Sequence, residues 1–380
     1  MLAPQRILIV RLGAMGDVIH ALPAVATLRW ALPHATIGWV IEDRWVELLA
    51  TSAAVAGPRS AQKPLVNNIH AVNTKAWRSA PFSDQTWKEA RAALRGVRAM
   101  QYDLALDFQG ALKSGVISRL SGAKTRVGFH KTRERFATSF YTQEVAARKP
   151  HIIEQNFELI TRVVTPIDLQ RAAEQDADGN DRLQDQLFPV DARIEDWCET
   201  TLRDLGYTPR KFAILNPGAG WGAKCWPIEK YAEVARGLAD LGVKSIVNFG
   251  PAEETLARQV EALSAGSARA VACSIGELIS FSRRAGLFVG GDTGPMHLAA
   301  ALRVPVVGIF GPTDPARNGP FATSSIVIRR SESVTNHSRR AAPDEAMLSI
   351  TAAEVLEAAR ELLSEQVSKD NAIPPEAPDA

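Results

Sequence analysis

The feature that most constrains this chain is a unit that recurs in both halves: a short apolar run, a turn marked by glycine, and a segment of helical period. Arg6-Ile-Leu-Ile-Val10 is a continuous apolar run of strand length, Gly13 and Gly16 follow it, and Val18 to Leu32 shows helical spacing. Further strands are expected at Thr36 to Ile41, where Ile37, Trp39 and Ile41 alternate, and at Tyr102 to Phe108, which leads through Gln109-Gly110 into a helix from Ala111 to Leu120. The second half repeats the pattern: Phe212 to Leu215 before the helix Ile228 to Leu241, Ser245 to Phe249 before Glu253 to Leu263, then Leu287 to Val289 and Val306 to Phe310. Runs this short and this uniformly apolar are how parallel strands covered on both faces read. The expectation is an α/β chain of two doubly wound domains, with ligands at the carboxyl ends of their strands.

Between the halves, Gln175 to Asp185 is polar and has no apolar period, which suggests a linker and a boundary near residue 185. The expected domains are therefore 1–185 and 186–350. An amphipathic helix is expected over 351–366, with Thr351 and Glu354 as its capping box, followed by a disordered tail over 367–380. Apolar runs such as Val304 to Phe310 are far shorter than the roughly 20 residues that span a bilayer. The N-terminus lacks a signal-peptide pattern, so a cytoplasmic protein is expected. Cys198, Cys225 and Cys273 are odd in number and far apart, which suggests neither a disulfide framework nor a structural zinc site.

The net charge of +2 conceals an asymmetry: residues 75–150 hold 15 Lys or Arg against 6 Asp or Glu, a local +9. Such a region suits an anionic partner, the plain alternative being a solvated basic face. No RNP-like string, C2H2 spacing or basic heptad arm accompanies it, so charge alone speaks for nucleic acid.

Three motifs carry the chemistry. The first, Arg11-Leu-Gly-Ala-Met-Gly-Asp17-Val-Ile-His20-Ala-Leu-Pro23, lacks the third glycine of a dinucleotide fingerprint, and Glu42 and Asp43 come too late for its ribose-binding acid. Asp17 falls in the first helical turn, where it either works chemically or caps the helix. The second, Asn216-Pro-Gly-Ala-Gly-Trp-Gly-Ala-Lys224-Cys-Trp226-Pro227, offers backbone amides and one ammonium to a phosphate. Because Cys225 follows Lys224, it is not a P-loop and implies no magnesium ligand there. The third, Gly290-Gly291-Asp292-Thr293-Gly294-Pro295-Met296-His297, begins a helix whose free N–H groups suit an anion, with Thr293 the expected cap.

In this order, and together with Gly311-Pro-Thr-Asp314-Pro315, these motifs resemble the ADP-heptose:lipopolysaccharide heptosyltransferases, glycosyltransferase family 9, over about residues 6–365. Thr74-Lys-Ala-Trp77-Arg78 and Asp107-Phe-Gln-Gly-Ala-Leu-Lys113-Ser are similar to its heptosyltransferase I branch, which adds the first heptose to Kdo. The resemblance implies a GT-B architecture, two Rossmann-like α/β/α domains facing a central cleft, and inverting transfer from ADP-L-glycero-D-manno-heptose with no metal or other cofactor. It implies Asp17 as general base and Lys224 on the leaving pyrophosphate. Gly218, Gly220, Glu253, Asp292, Thr293, Gly294 and His297 join Lys224 as nucleotide-sugar contacts. Gly16, Arg78, Lys113 and Arg133 are the acceptor contacts, with Kdo-lipid A as acceptor at the inner face of the membrane. Members of the family often carry threonines in the loop before the lysine. This chain has Ala219 and Gly220, so backbone amides would take over those phosphate contacts.

Three other readings stay open on sequence alone. A heptosyltransferase II-type enzyme would share every motif and differ in acceptor. An NDP-hexosamine epimerase would need carboxylates or histidines near the donor sugar, where only His297 and Asp292 offer themselves. A non-catalytic nucleotide-sugar-binding protein would keep Lys224 and Asp292 and have no need of Asp17.

Overall fold

A computed structural model describes residues 5–132, 134–165, 167, 170, 187–250, 252–335 and 344–372. The chain divides into two compact units, Met1–Ile194 and Glu195–Ala380. The polar stretch 175–185 lies outside the described residues.

The first unit runs β1 (Arg6–Val10), α1 (Met15–Ala31), β2 (Thr36–Glu42), β3 (Asn68–Val72), α2 (Thr74–Ser79), α3 (Asp84–Ala99), β4 (Leu104–Asp107), α4 (Leu112–Leu120), β5 (Thr125–Phe129), β6 (Gln143–Val145) and α5 (Ile152–Ile160). Its strands form one parallel sheet in the order β3-β2-β1-β4-β5-β6. β4 is shorter than the apolar run Tyr102–Phe108 that announces it. β3, β5 and β6 carry no such run.

The second unit runs α6 (Ala192–Leu205), β7 (Phe212–Asn216), α7 (Ile228–Asp240), β8 (Lys244–Phe249), α8 (Glu254–Leu263), β9 (Ala268–Ala272), α9 (Ile275–Arg284), β10 (Leu287–Gly291), α10 (Gly294–Ala301), β11 (Val306–Phe310), α11 (Pro315–Asn318), β12 (Ser325–Arg329), α12 (Glu345–Ser349) and α13 (Ala352–Ala372). The sheet order β12-β11-β10-β7-β8-β9 repeats that of the first unit, again parallel throughout. In each unit the chain starts at a central strand, winds outward, then returns to wind the other way. The two central strands, β1 and β4 or β7 and β10, send their following loops to opposite sides and leave a crevice at their carboxyl ends.

Burial follows the alternation of side chains across a strand. In β7, Ala213 and Leu215 join a core with α7, α8 and α13, through residues such as Tyr231, Val260 and Val355. Phe212 and Ile214 join the opposite core, with Cys198, Phe281 and Met296 of α6, α9 and α10. In β1, Ile7, Leu8, Ile9 and Val10 are all fully buried. Each such side chain stabilises the fold by ~1.5–3 kcal/mol relative to exposure, so the two cores hold the strand ends as rigid platforms.

Thr351 and Glu354 form the expected capping box: the Thr351 hydroxyl accepts the Glu354 N–H and the Glu354 carboxylate accepts the Thr351 N–H. The helix they start continues to Ala372, beyond the expected end at 366, because neither glycine nor proline interrupts it before Pro374. It packs on α7 and on β10, β11 and β12. Residues 373–380 lie outside the described residues. Among the described residues, no helix is long and apolar enough to cross a membrane.

Candidate active site

At the crevice of the first unit, β1 gives way to Arg11-Leu-Gly-Ala and then to α1, with Gly16 buried in its first turn. Asp17 sits in that turn with its side chain 46% exposed. One carboxylate oxygen accepts the Ala14 N–H at 3.0 Å, which satisfies one of the orphan donors of the helix start. The other is 2.6 Å from the guanidinium of Arg11, whose side chain is only 9% exposed. Arg11 also donates to the Phe108 carbonyl, just past β4, at 2.5 Å. The Gln109 side chain accepts the Leu12 N–H at 2.8 Å. Asp17 thus caps its helix with one oxygen and remains open to solvent along the carboxylate edge.

Asp107, the last residue of β4, is fully buried. It accepts the N–H groups of Gln109 and Gly110 and the Tyr141 hydroxyl. Burial pushes its carboxyl up from the ordinary value, against hydrogen bonds from Ser114, Tyr141 and those two amides. Its work is to shape the turn that presents Gln109. His20 is buried on α1, packed edge-on against His151 with ring centroids 6.2 Å apart.

The acceptor candidates are placed unevenly. Lys113, on α4, is about half exposed and lies 3.7 Å from Glu42, while donating to the Thr74 hydroxyl at 3.3 Å. Glu42 is buried at the end of β2 and also receives the Thr74 hydroxyl and N–H. Arg78 is exposed on α2 beside Trp77, whose indole donates to Glu89. Arg133 lies outside the described residues. Arg126, in the same basic region, is paired within the fold, donating to the carbonyls of Phe140 and Ala123.

In the second unit the loops after β7 and β10 meet at the equivalent crevice. Lys224 closes a short turn, Gly222–Lys224, and its ammonium lies 2.6 Å from one Asp292 carboxylate oxygen and 3.0 Å from the Asp292 carbonyl. It also stands 4.7 Å from the centre of the Trp221 ring. The other Asp292 oxygen is 3.0 Å from His297 Nε2. Burial alone would raise the Asp292 carboxyl, but the His297 and Lys224 contacts hold it well below the ordinary carboxylate range. Asp292 is therefore an anion that aims Lys224 rather than a proton donor.

Beside this pair, the Asn216 side chain donates to the Gly218 carbonyl at 2.8 Å and towards the Thr293 hydroxyl at 3.4 Å, tying the two loops together. Gly218 lies so close to the Glu253 carboxylate that a Cβ would fall 2.3 Å from it, so a larger residue would displace the Glu253 side chain. Gly220 is open to solvent. Thr293 occupies the cap position of α10 without capping through its side chain; its hydroxyl donates to the Gly291 carbonyl instead. Among the described residues no side chain caps the first N–H groups of α10, those of Gly294 and Met296, which suits them to an anion. Asp314 caps α11 by accepting the Ala316 N–H. Among the described residues, no group of three His, Cys, Asp or Glu side chains is arranged to hold a metal ion.

The structure thus brings Gly218, Lys224, Glu253, Asp292, Thr293, Gly294 and His297 together in one unit, and Gly16 and Asp17 in the other. Sequence reasoning assigned no role to Arg11 or Gln109. Arg11 is the basic residue directly after β1 in the motif that carries Asp17, which was the available signal.

A family model for glycosyltransferase family 9 (heptosyltransferase) matches residues 90–346. Lipopolysaccharide heptosyltransferase 1 of Escherichia coli (strain K12) is 29% identical over 336 residues, which cover 86% of this chain and 93% of that protein. The solved structure of E. coli heptosyltransferase WaaC with ADP is similar with a TM-score of 0.72 at 26% identity, covering 94% of this chain and 99% of that one. A glycosyl transferase family 9 structure from Veillonella parvula DSM 2008 shares the fold with a TM-score of 0.75 at 20% identity, over 95% of this chain and 98% of that one. With the family model covering more than half of its residues and the fold shared end to end, the chain belongs to glycosyltransferase family 9, the heptosyltransferases.

Proposed function

We propose that this glycosyltransferase moves heptose from ADP-heptose to the Kdo of the lipopolysaccharide inner core, with inversion at the anomeric carbon and without a metal ion. The observation that carries the reading is the pairing of Lys224 with Asp292 at the start of α10, in a chain similar to a heptosyltransferase solved with ADP. An ammonium has three N–H groups. Two of those on Lys224 are directed to Asp292, and the third is available to the pyrophosphate. With the amides at the start of α10, it stabilises the charge that grows on departing ADP. Gly218, Gly220 and Glu253 line the same site, and Asp292 and His297 keep Lys224 in place.

In the other unit Asp17 takes the proton of the acceptor hydroxyl as it attacks the anomeric carbon. Its solvent-facing carboxylate edge suits that role. Gly16 lets the acceptor approach the helix start, and Arg78, Lys113 and Arg133 bind its carboxylate and phosphate groups. Arginine suits a sugar carboxylate because its planar fork engages both oxygens. Since Kdo-lipid A is a membrane lipid, the protein works against the inner face of the membrane as a peripheral protein.

The test is to incubate purified protein with ADP-heptose and de-acylated core acceptors ending in Kdo or in heptose, and to follow ADP release. Release that depends on the Kdo acceptor is the expected result. Preference for the heptose-ended acceptor would move the protein to the heptosyltransferase II type, and equal release without acceptor would remove the transferase reading of the site.

A further inference from the structure

We propose that Arg11 is the positioning residue for Asp17, holding the carboxylate in the orientation from which it takes the acceptor proton; this rests on the reading of Asp17 as the base. The two side chains differ in the way such a pair requires. Arg11 is 9% exposed and Asp17 is 46% exposed, with 2.6 Å between guanidinium and carboxylate. The arginine therefore grips Asp17 from the protein side and does not occupy the face that a sugar hydroxyl would approach.

The guanidinium is itself held. It donates at 2.5 Å to the carbonyl of Phe108, the first residue after β4, so Arg11 bridges the two central strands of the first sheet at the point where their loops part. The Ala14 N–H holds the other Asp17 oxygen at 3.0 Å. With one donor on each oxygen, rotation of the carboxylate is blocked, and each oxygen keeps a further lone pair for a substrate proton. A buried arginine pinned to a backbone carbonyl loses little freedom when it makes this contact, whereas a lysine would bring one point charge and no fork. The Gln109 side chain, which accepts the Leu12 N–H at 2.8 Å, fixes the loop between Arg11 and Gly13 from the same β4 turn.

The experiment is a double-mutant cycle on the full chain with R11M, R11K, D17N and R11M/D17N, measuring kcat and both KM values. Melting temperature and ADP affinity serve as checks that the fold and the second unit are intact. Misplacing a reacting group by about 1 Å costs on the order of a hundredfold, so R11M should lower kcat by about ten- to a hundredfold with both KM values nearly unchanged. R11K should recover part of the loss, and R11M/D17N should be no slower than D17N alone.

Wild-type kcat in folded R11M would overturn the proposal. So would losses that multiply in the double variant, since Arg11 would then act independently of Asp17. So would a loss confined to the acceptor KM, which would make Arg11 an acceptor contact. Should R11M fail to fold, R11K carries the same cycle: a smaller drop that vanishes in the D17N background supports the proposal, and an unchanged kcat overturns it. D17N at wild-type rate would instead remove the base assignment itself, so the two failures are distinguishable.

Discussion

Asp17 and Lys224 are held by different means, and their substitutions should separate cleanly. Asp17→Asn keeps the shape and the Ala14 contact but loses the basic oxygen. It should lower kcat by about a hundredfold or more while calorimetry shows ADP-heptose affinity nearly unchanged. Lys224→Ala removes a charge-assisted contact worth ~1.5–3 kcal/mol, so ADP affinity should fall by about ten- to a hundredfold. It also leaves Asp292 with the His297 hydrogen bond but without the ammonium. An unchanged ADP titration would return Lys224 to the merely structural lysines, of which this chain has a clear example: Lys63, fully buried, spends its ammonium on the carbonyls of Val55, Gly57 and Asn67. Asp17, Lys224 and Asp292 could be read from sequence because glycine turns and a strand end flank each of them. The anchorage of Arg11 could not, because its partner Phe108 is 97 positions away and only the β1–β4 pairing brings them together.

Among the elements, strands at the centre of each sheet were legible and those at the margins were not. β1, β7 and β11 are apolar apart from Arg6 and Asn216 at strand ends, because helices cover both their faces. β3, Asn-Ile-His-Ala-Val, and β9, Ala-Arg-Ala-Val-Ala, are edge strands with partly exposed residues, and they lack that signature. β3 carries a titratable group with a consequence of its own. His70 Nε2 lies 2.7 Å from the Tyr102 hydroxyl, and burial lowers its pKa from 6.5 to about 4. Between those values the unfolded chain binds more protons than the folded one, so stability is full above about pH 6.5 and declines as pH falls towards 4. His70→Gln should flatten the melting-temperature profile in that window, and a profile with the wild-type slope would contradict this. The same Tyr102 hydroxyl occupies the space beside Gly38 of β2, where a Cβ would fall 1.8 Å from it. Gly38→Ala should therefore cost about 1–3 kcal/mol in denaturant unfolding, and no loss would mean that Tyr102 swings aside freely.

For the molecule as a whole, the repeated strand order gives two crevices with complementary equipment: a carboxylate with a buried arginine in one unit, an ammonium with a helix start in the other. The local charge of +9 over residues 75–150 belongs to the first unit, but it is not all available for binding. Arg126 and Arg98 are spent on backbone carbonyls, and Lys113 shares its charge with Glu42. Arg78→Ala and Lys113→Ala should raise the acceptor KM and leave the ADP-heptose KM nearly constant, Arg78 the more strongly because Lys113 shares its charge with Glu42. Changes confined to the donor KM would move the acceptor platform elsewhere. With Lys224 and α10 carrying the charge stabilisation as proposed, transfer in the presence of EDTA should proceed at the rate seen without it; loss of activity restored by magnesium would contradict that mechanism. A single displacement of ADP by an acceptor hydroxyl under base catalysis would invert the anomeric centre. NMR of the purified Kdo-linked product should show the heptose anomeric centre inverted relative to ADP-heptose, whereas retained configuration would require a second displacement or an intermediate for which Asp17 has no role.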